Sequence, residues 1–442
     1  MPNTRSQARG QAEPREPAEH GTRAGAGARG AARALGLGLI TGAADDDPSA
    51  IGTYASAGAK FGYAFLWMAP VTMPMMFAVV YLASRLGMVS GRALFQAIHD
   101  FYPRWVLYPL LVGVVAGNVI EAAADLGGMA AALNMFVPVP VPWLVVGIAA
   151  IVFALQCFAP YRVIRNTFRW LALALLSYVA AALLARPDWA ATLHGTVVPR
   201  IQFNREFLSL VVAVIGTTLS AYLYTWQSNQ EVEEEIARGR TTVQQRQGAS
   251  RSELRKSRRD ILLGMLFSNL IMYFIILATG ATLHAAGKTD IETAAQAAEA
   301  LKPIAGEWAG LLFAAGLVGV GFLAVPVMTA GAAYDVAQSF GWKHSLHARW
   351  HEAKRFYGAI ALVTLAAVGL NFLGFNPMKA LVWSGIVQGF SVPPLLLLIM
   401  LMTNNRRVMG EQVNRRWLNV LGWITTAAVS AASGALLLTY LL

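Results

Sequence analysis

Three consecutive acids, Asp45, Asp46 and Asp47, run directly into Pro48 within an otherwise apolar stretch, LGLGLITGAADDDPSAIGTYASAGAKFGY, residues 35–63. A carboxylate at the centre of a membrane helix costs roughly 2.5–3.5 kcal/mol on insertion scales. Proline removes a backbone donor and keeps the residue before it out of ordinary helix. The combination excludes an unbroken helix facing lipid. A helix that stops near Asp45, unwinds and restarts near Ala50 resolves the conflict, provided the unwound backbone is enclosed by protein or lines a watery space. Carboxylates and freed carbonyls in such a place hold a cation. The competing reading is a loop before the next span. Residues 35–44 alone are too short to cross a bilayer, which takes about 20 residues. Beyond the acids, Ser49, Ala50, Gly52, Ala55, Ser56 and Gly58 continue as a stripe suited to close helix packing.

A second polar interruption lies in VVAVIGTTLSAYLYTWQSNQEVEEE, residues 211–235. Gly216, Thr217, Thr218, Ser220 and Tyr222 form a small, hydroxyl-rich run with no proline. Such hydroxyls can bond back to carbonyls of their own helix. Alternatively the helix opens at 216–221 and offers the Thr217 carbonyl and the Ser220 side chain to an ion. The acidic run Glu231 to Glu235 beside the basic 236–259 segment reads as a helix extension making intracellular salt bridges at a gate. In a third apolar segment, Asn118, Glu121 and Asp125 recur at spacings of three and four and so share one helical stripe. Gln388 and Ser391, ahead of Pro393-Pro394, line the same pathway or mark a kink.

The elements that position these residues are membrane helices. Of 442 residues 56% are hydrophobic and only 13% charged, which excludes a soluble enzyme with a conventional core. Eleven spans are expected, at 35–57, 62–85, 106–136, 142–159, 167–185, 207–228, 260–284, 305–333, 356–374, 379–402 and 417–440, behind an Arg- and Gly-rich tail, 1–34, read as disordered and cytoplasmic. The net charge of +11 collects in alternate connections: 86–105, 160–166, 236–259, 341–355 and 403–416. That pattern gives an inner-membrane protein with its N-terminus cytoplasmic and its C-terminus outside, rather than a nucleic-acid binder. The two interrupted spans are the first and the sixth. Standing five apart, they imply repeats of opposite orientation, 35–185 and 207–402, with 417–440 added and a substrate site where the broken helices cross.

These residues carry a family resemblance. Asp47-Pro48-Ser49-Ala50 resembles the Asp-Pro-Gly-Asn motif of Nramp divalent-metal transporters, and Ser220-Ala221-Tyr222 falls where that family has Met-Pro-His. IEAAADLGGMAAALNMF, residues 120–136, is similar to the family's third helix, and the likeness covers roughly 35–440. The fuller strings look most like the divergent Nramp-related branch that includes magnesium transporters. The resemblance implies an all-α, LeuT-like five-plus-five fold and transport of a divalent ion by alternating access, with the metal as substrate and no resident cofactor. It also implies a monomeric functional unit in the lipid bilayer. Asp47 is implied as the anchor, with Ser49, Ala50, Asp45, Asp46, Thr217 and Ser220 around it. Ala50 and Ser220 replace the family's Asn and Met. Losing the thioether favours hard ions held by oxygen and water, so partly hydrated Mg²⁺ or Mn²⁺ is expected. Tyr222 stands at the histidine position, and tyrosine titrates near about 10. On the third helix Asp125 matches one family acid, Ala122 stands at the other, and Glu121 is one residue away. Transport largely uncoupled from protons is expected. The alternatives are a proton-coupled Mn²⁺/Fe²⁺ importer and an organic-substrate transporter of the same fold. An enzyme is disfavoured, because no nucleophile–base pair stands within the spans.

Other signals carry less. His344, His347 and His351 are spaced as a helix-face cluster but sit in a basic connector. GLVGVGF, residues 316–322, reads as close helix packing rather than a nucleotide loop. Trp67, Trp105, Trp143, Trp189, Trp226, Trp383 and Trp417 read as interfacial anchors. Cys157, the only cysteine, reads as packing.

Overall fold

A computed structural model describes residues 37–158, 175–346 and 350–441. Every regular element among them is helical. The first span is two helices, α1 (Leu37–Asp45) and α2 (Pro48–Phe61), followed by α3 (Met68–Ser90), the short α4 (Leu94–Phe101), α5 (Arg104–Asn134) and α6 (Val141–Phe158). Next come α7 (Leu176–Leu184), α8 (Trp189–Val197), the broken pair α9 (Arg205–Thr218) and α10 (Ala221–Ala237), and α11 (Arg251–Thr279). The chain ends with α12 (Ala309–Ser339), α13 (Lys354–Leu370), α14 (Pro377–Thr403) and α15 (Arg416–Leu441).

Among the described residues nine helical stretches are long and apolar enough to cross a membrane. Two expected spans are missing from that number for different reasons. The first is split into pieces of 9 and 14 residues, each too short to cross alone. The fifth, expected at 167–185, lies partly outside the described residues, as does the whole of the tail 1–34.

The first break follows local rules. Asp47 is extended (φ −67, ψ 172), and its carboxylate accepts the Ala50 N–H, so it caps α2 with Pro48 in the first turn. The helix therefore restarts at Pro48, two residues before the expected point. In the second break, Leu219 and Ser220 separate α9 from α10 without a proline. The seventh span starts at Arg251 rather than 260, because Ser250 and Glu253 form a reciprocal capping box that carries helix into the basic segment. The basic connection is correspondingly shorter than 236–259.

Small residues set the distance between helices. A Cβ on Gly42 would lie 2.3 Å from the Gly264 carbonyl oxygen, which fixes α1 against α11. One on Gly216 would lie 1.9 Å from the Gly385 carbonyl oxygen, which fixes α9 against α14. One on Gly321 would strike Met129 Sδ at 2.3 Å, so this glycine of the GLVGVGF string does serve close packing of α12 on α5. Two tryptophans depart from expectation. Trp67 and Trp226 are buried, Trp226 in the apolar cluster it shares with Tyr222 and Leu223, whereas Trp105, Trp143, Trp189, Trp383 and Trp417 are exposed.

The glycine contacts are testable. Gly216→Ala meets backbone that cannot yield, and overpacking of this kind costs about 1–3 kcal/mol. Its melting temperature in detergent is expected to fall, while Gly147→Ala, with nothing within 4 Å of the new methyl, keeps or gains stability.

Candidate ion site

The two breaks meet. Tyr222, in the first turn of α10, donates its hydroxyl to Asp47 Oδ2 at 2.9 Å and to the Ala44 carbonyl at 2.8 Å. Tyr54 of α2 and Thr218 at the end of α9 share a hydrogen bond of 3.0 Å. The third element is α5. Its Asp125 Oδ1 accepts the Ser49 N–H at 2.9 Å, and its Glu121 Oε1 accepts the Ser220 hydroxyl at 3.0 Å. The Ser49 hydroxyl joins the set, donating to Asp47 Oδ1 at 2.7 Å with Glu121 Oε1 at 3.4 Å. From α14, the Gln388 amide donates to Glu121 Oε2 at 2.6 Å and lies 3.4 Å from Asn118 Oδ1.

Asp47, Ser49, Ala50, Glu121, Asp125, Asn118, Thr217, Ser220, Tyr222 and Gln388 therefore form one neighbourhood, and solvent reaches none of them. Glu121, read as a pathway residue one position off the family's acid, sits inside the site. The signal was available in the stripe it shares with Asn118 and Asp125. The Thr217 hydroxyl bonds back to the Ala213 and Val214 carbonyls of its own helix. Its own carbonyl, expected to face an ion, accepts the Ser220 hydroxyl at 3.0 Å. Ala50 takes part through its backbone N–H on Asp47.

Asp45 and Asp46 face elsewhere. The Ser268 hydroxyl on α11 contacts Asp45 Oδ2 at 2.5 Å and Asp46 Oδ1 at 3.3 Å, so these acids stand on the α11 side of the break rather than with Glu121. Asp45 Oδ1, Asp46 Oδ2 and Asp125 Oδ2 are buried without a hydrogen-bond donor. Among the described residues no basic side chain bonds to any of the five acids. Charge around the breaks is shaped by helix ends as well. The positive N-terminus of α2 is covered by Asp47 and Asp125, while α1 and α9 bring their negative C-terminal ends to the same place. The arrangement repels anions and suits a cation. No three His, Cys, Asp or Glu side chains converge as a ready-made metal cage among the described residues. In this conformation the oxygens of Asp47 are taken by Ser49, Ala50 and Tyr222, and an ion must displace these donors.

The acidic tail of α10 is divided. Glu234 and Glu235 pair with Arg238, as expected of a salt-bridged cap. Glu231 is buried and accepts from Ser84 (2.7 Å) and Gln227 (2.9 Å), and Gln227 in turn accepts from Thr41 of α1 at 2.6 Å. Glu233 accepts from Tyr334 at 3.1 Å and Ser345 at 2.9 Å. These bonds seal the side of the site toward the basic connections. His344 contacts the Trp342 carbonyl and His351 stands near Glu352, both away from the site, while His347 lies outside the described residues. On the opposite side a cleft of about 610 Å³ opens among Lys60, Arg205, Glu206, Asp290, Glu292 and Lys379. Ser56 also lines it, seven residues or about 10 Å along α2 from Ser49.

The model of the family described as natural resistance-associated macrophage protein-like, Nramp, matches residues 38–439. The chain belongs to the Nramp family. It is similar to the divalent metal cation transporter MntH of Klebsiella pneumoniae, at 27% identity over 90% of this chain and 91% of that one. It is similar also to MntH of Deinococcus radiodurans, at 28% identity over 93% and 92% of the two chains. Among solved structures, the Eremococcus coleocola manganese transporter superposes with a TM-score of 0.69 at 18% identity, over 95% of this chain and 87% of that one. The nucleobase-cation symporter Mhp1 superposes at 0.53 with 12% identity, over 92% of each chain. These neighbours establish the LeuT-like inverted-repeat fold of a multi-pass membrane protein.

Tyr222→Phe removes the donor shared by Asp47 and the Ala44 carbonyl. Leaving buried acceptors unsatisfied costs about 1–3 kcal/mol. The variant is expected to melt at lower temperature than wild type, with Tyr440→Phe, far from the breaks, as an unchanged reference.

Proposed function

We propose that this Nramp protein carries divalent metal cations across the membrane by alternating access, with Asp47 as the principal anchor. One observation carries the reading. Buried acids converge on two helix breaks, three of their oxygens lack donors, and no basic side chain among the described residues compensates them. Negative charge so placed calls for a cation or for protons. The names of the MntH relatives and of the manganese transporter support the same class. Asp47 would bind directly, Ser49, Ser220 and the Thr217 carbonyl would complete the set from either half, and Glu121 and Asp125 would balance charge. Asp45 and Asp46 would attract the ion toward the α11 side. The repeats would be 35–185 and 207–402 with 417–440 added, making eleven spans in all. A single copy holds both half-sites, so a monomer suffices. The basic connections favour a plasma-membrane protein with a cytoplasmic N-terminus.

The donors are hydroxyls, carboxylates and carbonyls, with Ser220 in place of a thioether. This favours partly hydrated Mg²⁺ or Mn²⁺ over softer ions. Flux is expected to run down the ion gradient, since Tyr222 stands where the family has histidine and tyrosine ordinarily titrates near about 10, a poor proton carrier at neutral pH. One observation favours the proton-coupled alternative: the Ser49 hydroxyl stands between two buried acids, 2.7 Å from Asp47 and 3.4 Å from Glu121.

Proteoliposome uptake separates these readings. Asp47→Ala should cut Mg²⁺ and Mn²⁺ flux by about tenfold or more, the effect of losing roughly 1.4 kcal/mol of binding. Unchanged flux would end the proposal. Ser220→Met should lower Mg²⁺ flux relative to Mn²⁺. Luminal acidification tracking metal entry would replace uncoupled transport with the proton-linked alternative.

A further inference from the structure

Away from the helix breaks, a cluster of arginines gathers where α3, α11 and α15 end together. A cavity of about 240 Å³ there is lined by Arg85, Arg251, Arg255, Arg258 and Arg415. Arg251, Arg255 and Arg258 are spaced four and three apart in the first turns of α11, so they share a face. Arg85 is buried and already engaged: its guanidinium donates to Asn414 Oδ1 at 2.8 Å and to the Gln412 carbonyl at 2.7 Å, which fixes the cavity floor. The other four are exposed and have no carboxylate partner among the described residues. Glu253, the nearest acid in sequence, turns to Ser250 and toward Arg238 and Arg240 instead.

Four exposed guanidinium groups around one cavity repel one another, and an anion relieves that repulsion. Guanidinium forks match phosphate oxygens in pairs. The remaining wall is apolar. Leu254 and Leu418 border the cavity, and Trp417 stacks with Phe77 and Tyr81 at ring-centroid distances of 6.3 and 6.4 Å. All three helices are long and apolar enough to span a bilayer, so the cavity stands at the membrane–water boundary, where such rings reside. A ligand with a charged head and a hydrocarbon body fits both halves of the wall. A free phosphate fits only one. At roughly 30 Å³ per water, the volume holds a phosphate with several waters.

We propose that this cavity binds the phosphate of an anionic phospholipid, with the acyl chains lying along Trp417 and Leu418. Basic pockets at helix ends hold anionic headgroups elsewhere by the same attraction. The bound lipid bridges α3, α11 and α15. It is distinct from the ion site and does not depend on which ion is carried.

The test uses the full-length protein in neutral detergent, titrated with phosphatidylglycerol, with phosphatidylcholine of the same chains and with inorganic phosphate. Binding is read by native mass spectrometry and by thermal melting. Phosphatidylglycerol should bind and raise the melting temperature, and phosphatidylcholine should not. Arg255→Gln with Arg258→Gln should weaken phosphatidylglycerol binding about 30-fold. Arg406→Gln with Arg407→Gln, in another basic connection, should leave it unchanged. If the first pair lowers the melting temperature without lipid, Arg251→Gln with Arg415→Gln replaces it. Undiminished binding in the cavity variants overturns the proposal. So does equal loss in the control pair, which would mean diffuse surface attraction, or equal stabilisation by inorganic phosphate alone.

Discussion

At the two helix breaks, the carboxyls of Asp47, Glu121 and Asp125 lie beyond the reach of water, and no cationic side chain among the described residues offsets them. Most other features near the breaks follow from the need to accommodate that charge. Asp47 and Asp125 rest on the N-terminal amides of α2, the one place where a helix end favours them. Ser49, Ser220, Tyr222 and Gln388 each turn a donor toward an acid. Two helices must end there to free those groups, and three further helices must press close to exclude solvent. The glycine contacts between α1 and α11 and between α9 and α14 permit that approach.

The seals on the two sides differ in chemistry. Toward the basic connections, Thr41, Gln227, Glu231 and Ser84 form a buried chain of hydrogen bonds, with Glu233 and Tyr334 beside it. Such a barrier is specific in geometry, yet water can replace each bond in turn, so it can open without exposing hydrocarbon. Toward the cleft, apolar packing of α2 carries the barrier, with the Tyr54–Thr218 bond joining the two broken helices.

Much of this was legible in the sequence because the expensive residues are also the diagnostic ones. Acids beside a proline in an apolar run permit few structures, and the first break fell where they demanded. The restart came at Pro48 rather than near Ala50, because Asp47 caps the second piece and proline fits its first turn, a use of the Asp-Pro pair that breaker logic alone does not give. The second break was harder, because Leu219 and Ser220 carry no breaker and only the tertiary contacts of Tyr222 and Glu121 hold it. Side-chain direction was least accessible. Spacing placed Glu121 on a stripe with Asp125, but nothing local told that it meets Ser220, nor that Asp45 and Asp46 turn to Ser268. The burial of Glu231 and Glu233 was missed for a similar reason: an acidic run reads as solvated until its hydroxyl partners on α3 and α12 are known. The tryptophans at 67 and 226 show the same limit, since nearness to a span end does not distinguish lipid from core.

The cleft among Lys60, Glu206 and Asp290 brings solution to within about 10 Å of Ser49 along α2, while the far side is sealed. A voltage across the membrane drops little through solution and steeply through packed protein. In this conformation the electric field therefore concentrates on the hydrogen-bonded half. Each 100 mV is worth about 2.3 kcal/mol per elementary charge, or about 4.6 for a divalent ion. Movement between the cleft and the breaks therefore crosses only part of that field, and under the alternating access proposed above the rest of the electrical work belongs to the change of conformation.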